Sequence, residues 1–63
     1  MNTGKVKFFN KAKGFGFIID DASGEEIFVH KTGLVDNVKE NDAVTFDVEQ
    51  GKRGTNAVNV KLA

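Results

Sequence analysis

The stretch GFGFIIDDASGEEIFVH, residues 14–30, decides the fold because it contains two apolar segments separated by a turn. The first segment, 14–20, is rich in phenylalanine and isoleucine, and the second, 26–30, places Ile27 and Val29 on one face. Between them, Asp21-Ala22-Ser23-Gly24-Glu25 is a turn-forming cluster. We therefore predict two consecutive β-strands joined by this turn.

The same period-two pattern continues on both sides, and no window has the i, i+3, i+4, i+7 spacing of a helix. It predicts three more strands, over 5–10, 43–49 and 56–62, with 31–42 as the only long connection. Leu34, Val35 and Val38 in that connection are expected to plug one end of the core. Such short strands must close on themselves to bury an apolar face. The prediction is an all-β fold, either a five-stranded antiparallel barrel of the OB type or a small SH3-like barrel.

Length and composition restrict the function. The 63 residues, 40% hydrophobic and 29% charged, are expected to form a single globular domain over 1–63. The absence of cysteine excludes disulfides and Cys-based zinc sites, and one histidine leaves little material for catalysis. We expect no enzyme activity, no cofactor, no metal and no small-molecule substrate. No signal sequence or membrane-spanning run is recognisable, so a cytoplasmic protein without membrane contact is expected.

The formal net charge is zero, but the charges are segregated along the chain. All basic residues before position 20 are lysines, with no acid among them, and every acidic residue lies within 20–49. The C-terminal part is basic again through Lys52, Arg53 and Lys61. Such a chain can fold with one positive face, although solvated faces of mixed charge are the plain alternative.

Parity along the strands separates a core from a set of leftover aromatic residues. The expected core consists of inward-facing aliphatic residues and one phenylalanine: Val6, Ile18, Ile27, Val29, Leu34, Val44, Phe46, Val48, Val58 and Val60. Phe15, Phe17 and Ile19 then point to the opposite face, as do Phe28 and His30 on the next strand. An exposed apolar patch of this kind marks a contact surface.

Lysines and glycines accompany these aromatic residues. Lys7, Lys11 and Lys13 are expected at the rim, while Gly14 and Gly16 flank Phe15 and are expected to leave the backbone bare for a flat ligand. Rings beside ammonium groups suit unpaired nucleic acid, whose bases stack on the rings and whose phosphates pair with lysines. The alternative is that Phe15, Phe17 and Phe28 form a second core layer under the 31–42 connection, and that His30 is an ordinary surface histidine.

Periodicity leaves one conflict open, at Phe8 and Phe9. Strict alternation places Phe8 inside with Val6 and Phe9 outside with Lys7. One bulge or sharp bend near Lys7 would reverse the two.

The motifs GKVKFFN (4–10), KGFGFI (13–18), IFVH (27–30) and GTNAVNV (54–60) closely resemble the bacterial cold-shock proteins. The resemblance covers the whole chain and implies a five-stranded OB-fold barrel that binds single-stranded RNA and DNA as an RNA chaperone or a regulator of transcription and translation. It assigns base stacking to Phe8, Phe15, Phe17, Phe28 and His30, and backbone or rim contacts to Lys7, Asn10, Lys13, Arg53 and Asn56. It also places Phe8 on the binding face and Phe9 at its edge.

Three positions depart from the family pattern: Phe8 stands where tryptophan is usual, Lys31 where an aromatic residue is common, and the 31–42 connection is short and lacks an aromatic residue. Lys31 can offer a phosphate its charge but cannot offer a base a flat surface. The expected partners are single-stranded RNA and DNA, with a mild pyrimidine preference, bound by a monomer. The rival prediction is an SH3-like barrel whose aromatic groove binds a peptide segment of a protein partner.

Overall fold

The computed structural model of the chain describes residues 1–51 and 54–63, and it is built from strands and one short helical turn. A single turn of 3-10 helix, η1, spans Lys31–Gly33 directly after the third strand. The strands are β1 (Asn2–Asn10), β2 (Phe15–Asp20), β3 (Glu26–His30), β4 (Ala43–Gly51) and β5 (Gly54–Leu62). Among the described residues, no helix has the length and apolar character needed to cross a membrane.

The strands form a closed barrel in the order β1-β2-β3-β5-β4. All pairings are antiparallel except that between β3 and β5, where Phe28 pairs with Asn56 and Val29 with Ala57 in parallel. The prediction of an all-β, five-stranded barrel is thereby confirmed. β1 begins at Asn2, earlier than predicted, because Asn2 to Lys5 pair with β4.

The core confirms most of the parity prediction. Its buried residues are Val6, Ile18, Ile27, Val29, Val38, Val44, Phe46, Ala57 and Val60, with Phe9 and Leu34 packed against them. Val38 plugs the core from the 31–42 connection as predicted, whereas Val35 is 58% exposed, so the prediction for Val35 is wrong.

The core prediction is also wrong for two residues of the β4–β5 hairpin, Val48 and Val58, for two different reasons. Val48 is 47% exposed because Phe46 is the last β4 residue paired with β1, and β4 then has only β5 as a neighbour. Val58 is only half-buried because the β4–β5 register shifts between Thr45 and Asp47. The extra residue on β5 is Asn59, whose φ of 53° is left-handed, and it reverses the parity that follows.

A bulge in β1 settles which of Phe8 and Phe9 faces outward. Val6 pairs with Ile18 but Phe8 pairs with Phe17, which leaves Lys7 as the extra residue on β1. Phe8 therefore shares the outer face with Phe17. Phe9 turns inward and packs against the core.

The same bulge explains Gly16 and corrects its expected role. Gly16 is buried and pairs with Phe9, and a Cβ added there would lie 2.7 Å from Cδ1 of the Phe9 ring and would also strike the Phe8 carbonyl oxygen. Gly14 has a φ of 76° and faces the Lys31 stem. Both glycines thus accommodate the protein's own residues, and the prediction that they bare the backbone for a ligand is wrong.

Candidate functional site

Four phenylalanine rings on β1, β2 and β3 form one cluster on the outside of the barrel, which we call the aromatic face. Phe8, Phe15, Phe17 and Phe28 are all half-buried. Their ring centroids lie 5.6 Å apart for Phe8–Phe17, 5.9 Å for Phe17–Phe28, 5.9 Å for Phe15–Phe28 and 6.4 Å for Phe8–Phe15. These separations are typical of contacting aromatic rings. The rings close a circuit in which each contacts two others, so each ring is partly covered by its neighbours and partly exposed.

The 31–42 connection does not bury this cluster. Its apolar residues Leu34 and Val38 contact the core, on the side where Phe9 also packs. The alternative of a second core layer under the connection therefore does not describe the aromatic face.

His30 extends the aromatic face at the end of β3, where it pairs with Phe15. Its ring is exposed, and its Nδ1 accepts the Thr32 backbone N–H at 3.3 Å while lying 3.0 Å from the Thr32 hydroxyl. Because β3 ends at His30 and η1 begins at the next residue, these contacts hold the imidazole in one orientation beside Phe15. Thr32 carries no motif that would have identified it from the sequence.

The lysines near the aromatic face differ in how free their ammonium groups are. Lys7 Nζ donates to Glu26 Oε1 at 3.0 Å, and both side chains are about half exposed. Lys13 lies in the β1–β2 turn, and within the described residues its ammonium has no ion-pair partner. Only Lys13 of these two is therefore ready to meet an anion without breaking a protein contact.

Asn10 shapes the β1–β2 turn from its first residue. Its Oδ1 accepts the Lys13 backbone N–H at 3.1 Å, and its carbonyl oxygen accepts the Gly14 N–H at 2.7 Å. Asn10 thus holds Lys13 and Phe15 in their positions around the turn.

Two further predicted site residues lie beside the aromatic face. Phe9, expected at the edge, instead packs against the core and lines a shallow depression with Lys11, Lys31 and Leu34. The Lys31 N–H donates to the Gly14 carbonyl at 2.8 Å, and the Lys31 stem runs along Gly14. Lys31 is exposed and directly follows His30, the β3 partner of Phe15.

The β5 side of the aromatic face begins with Asn56, the parallel partner of Phe28. Asn56 is half-buried, and its Oδ1 is buried without a hydrogen-bond donor in the part of the chain that the structure describes. Arg53, the remaining predicted site residue, lies outside the described residues, as does Lys52. Glu49 pairs with Asn56 across β4 and β5, a position that only the strand register reveals.

This arrangement offers surfaces and charges that suit binding. No group of three or more metal-ligating side chains occurs in residues 1–51 and 54–63. Half-exposed rings offer flat apolar surfaces for stacking, and the nearby ammonium groups offer charge to anions.

Comparisons with known proteins place the chain among sequences of known type. The profile of the "'Cold-shock' DNA-binding domain" family matches residues 2–63. The chain is 48% identical over 62 residues to the cold shock-like protein CspG of Escherichia coli, covering 92% of this chain and 89% of that one. It is 42% identical to the cold shock protein ScoF of Streptomyces coelicolor, with both chains covered completely.

Among solved structures, the chain is similar to the Drosophila Unr CSD456 structure, with a TM-score of 0.83 and 26% sequence identity. The match covers 98% of this chain but only 26% of that longer chain. The five-stranded barrel described above is therefore the OB-fold barrel of cold-shock domains.

Proposed function

This chain belongs to the cold-shock domain family of nucleic-acid-binding, non-enzymatic proteins, and on that premise we propose that it binds single-stranded RNA and DNA on the aromatic face. The observation that carries the proposal is the circuit of four half-exposed rings, Phe8, Phe15, Phe17 and Phe28, on three adjacent strands. Bases stack on such rings without regard to sequence, because every base has a π-face. A base inside a double helix cannot present that face, so the preference is for unpaired strands.

Charge supports the same proposal from the rim. Lys13 in the β1–β2 turn and Lys31 beside Gly14 are exposed and can pair with phosphates that pass the Phe15 end of the aromatic face. Lys7 is a weaker contributor because Glu26 already neutralises it. We expect about 4–8 nucleotides to be covered by a barrel of this size.

Two finer properties belong to the proposal. Pyrimidine-rich strands bind somewhat more tightly than oligo-dA, because purine strands stack on themselves and give up that stacking when the bases turn onto the rings. The protein acts as a monomer. Its role is that of an RNA chaperone or a regulator of transcription and translation, because sequence-tolerant stacking keeps strands unpaired.

The test compares one labelled strand with its own duplex. Fluorescence anisotropy with a mixed-sequence strand, alone and annealed to its complement, is expected to show clearly tighter binding to the unpaired strand. Phe28→Ala should weaken that binding. Val35→Ala should not, because Val35 is an exposed apolar residue of the 31–42 connection and lies outside the aromatic face. Equal or tighter binding to the duplex would refute the proposal.

A peptide-binding function, as in SH3-like barrels, is the second candidate, and the aromatic face alone would suit it. Lys13 at the rim, which has no ion-pair partner among the described residues, favours nucleic acid because its ammonium can pair with a phosphate. Phosphate contacts make the affinity fall as salt is added. A binding constant for single strands that does not change with salt would favour the peptide.

A further inference from the structure

A single row of paired residues crosses all five strands on the outer face of the barrel. Phe8 pairs with Phe17, Phe17 with Phe28, Phe28 with Asn56, and Asn56 with Glu49. Paired residues share a face of the sheet, and neighbouring strands lie about 5 Å apart. The row therefore begins with three phenyl rings and ends, two strands later, with an amide and a carboxylate.

The polar end of this row borders a depression in the surface. It is lined by Phe28, His30, Thr32, Asn56 and Glu49. A stacking ring, an imidazole and two side chains with acceptor oxygens thus surround one space.

The acceptors in this depression lack donors. Glu49 is exposed, and within the described residues its carboxylate makes no hydrogen bond or ion pair. Asn56 Oδ1 is buried and has no donor in the same part of the chain. The exposed Glu49 carboxylate is therefore open to a donor group that enters the depression, whereas the Asn56 oxygen is covered by the protein.

The lysines indicate how a nucleotide would lie. Lys13 belongs to the β1–β2 turn and the Lys31 stem packs along Gly14 of that turn, so both lie near the strands that begin the row, whereas Glu49 stands on its last strand. Glu49 repels phosphate on the β4 side. A nucleotide whose base stacks on Phe28 would therefore keep its phosphates near the lysines and direct its base edge along the row toward Asn56 and Glu49.

We propose that Glu49 makes this depression a subsite that prefers an amino-bearing base, cytosine among the pyrimidines, for the nucleotide stacked on Phe28. Cytosine presents its N4 amino group as a donor, and carboxylates accept from that group. Thymine and uracil present the O4 oxygen at the same position, which meets the carboxylate acceptor to acceptor. This inference rests on the proposed function, and it adds selectivity to a surface that otherwise binds any base.

The test measures the affinity of a thymine heptamer and of heptamers in which one thymine at a time is replaced by cytosine. The protein is expected to bind at least one cytosine-containing heptamer about 5-fold or more tightly than the all-thymine strand. Glu49→Val removes the acceptor from an exposed strand position. In this variant the ratio of the affinity for the preferred cytosine-containing heptamer to the affinity for the all-thymine heptamer is expected to fall to about one. Glu49→Gln keeps an acceptor oxygen without the charge and is expected to retain part of the preference.

The ratio of the two affinities is insensitive to a general change in charge, since removing any acid strengthens both complexes alike. Glu40→Gln, an exposed acid of the 31–42 connection, serves as the matched control and should leave the ratio unchanged. The inference is overturned if no cytosine position is preferred, or if the preference survives in Glu49→Val. Failure of the proposed function gives a different result, because Phe28→Ala would then leave the affinity for the all-thymine heptamer unchanged.

Discussion

β2 and β4 have the same alternation of apolar and other residues, yet the two strands use it in opposite ways. In β2, the outward residues Phe15 and Phe17 are the larger ones, and they build the aromatic face over a buried Ile18. In β4, Val44 and Phe46 are buried, but Val48, which lies on the same side of the strand, is nearly half exposed. β2 has a neighbouring strand on both sides along its length, whereas β4 loses β1 after Phe46. Alternation thus assigns a residue to a face, and the number of flanking strands decides how deeply it is buried.

The largest effect that tests this comparison is on stability. Phe46→Ala should reduce the free energy of unfolding by about 3–5 kcal/mol, because it leaves a cavity in the centre of the core. Phe17→Ala should cost much less, since its ring is only half-buried. Urea denaturation of both variants measures the difference. If Phe46→Ala does not fold, Phe46→Leu should still be less stable than Phe17→Ala, and equal losses would contradict the distinction between the two faces.

A second pair of variants tests depth along β4 itself. A fully buried valine contributes about 1.5–3 kcal/mol, so much of that should be lost in Val44→Ala. Val48→Ala should lose well under half as much, because the side chain is 47% exposed beyond the last β1 pair. Thermal unfolding of the two variants under one set of conditions is the measurement. Similar losses would mean that the end of the hairpin is packed after all.

The third test separates the two adjacent phenylalanines of β1. Phe8→Ala should weaken binding of single strands by about 1–3 kcal/mol with a small change in stability, as should the same change at Phe15, Phe17 or Phe28. Phe9→Ala should lower the stability and change the affinity little, because Phe9 packs against the core opposite Gly16. Titration calorimetry for affinity and denaturation for stability distinguish the outcomes. A loss of affinity without a loss of stability in Phe9→Ala would return Phe9 to the binding surface.

The sequence predicts most of this molecule because its strands obey period two and its turns carry glycine and aspartate. It places Phe15, Phe17, Phe28 and His30 together from parity alone. Periodicity does not resolve Phe8 and Phe9, because a bulge at Lys7 leaves no mark in the pattern, and only the resemblance to the cold-shock proteins predicts Phe8 on the binding face. It also misassigns Val58, since the left-handed Asn59 shifts the register of β5.

Contacts between distant residues are the second limit of sequence reasoning. The Lys7–Glu26 ion pair joins residues on β1 and β3, and the Asn56–Glu49 pair depends on the register of the β4–β5 hairpin. Parity identifies which residues face outward, but not which of their charges are already paired or what stands beside them.

The smallest expected effect follows from that ion pair. Affinity for a single strand falls with salt by about 0.7 in the log–log slope for each phosphate contact. Lys13→Gln should reduce the magnitude of the slope by about this amount, because no described residue pairs with the Lys13 ammonium. Lys7→Gln should reduce it by less than about half as much, because Lys7 Nζ lies 3.0 Å from Glu26 Oε1 and must leave it before it meets a phosphate. An exposed pair of this kind is worth only about 0–1 kcal/mol, so a phosphate can compete with Glu26, but part of the gain is lost in breaking the pair.

Affinities of both variants for one oligo-dT strand, measured over a salt series, give the two slopes. Equal reductions would mean that Lys7 abandons Glu26 in the complex, and the two lysines would then contribute alike.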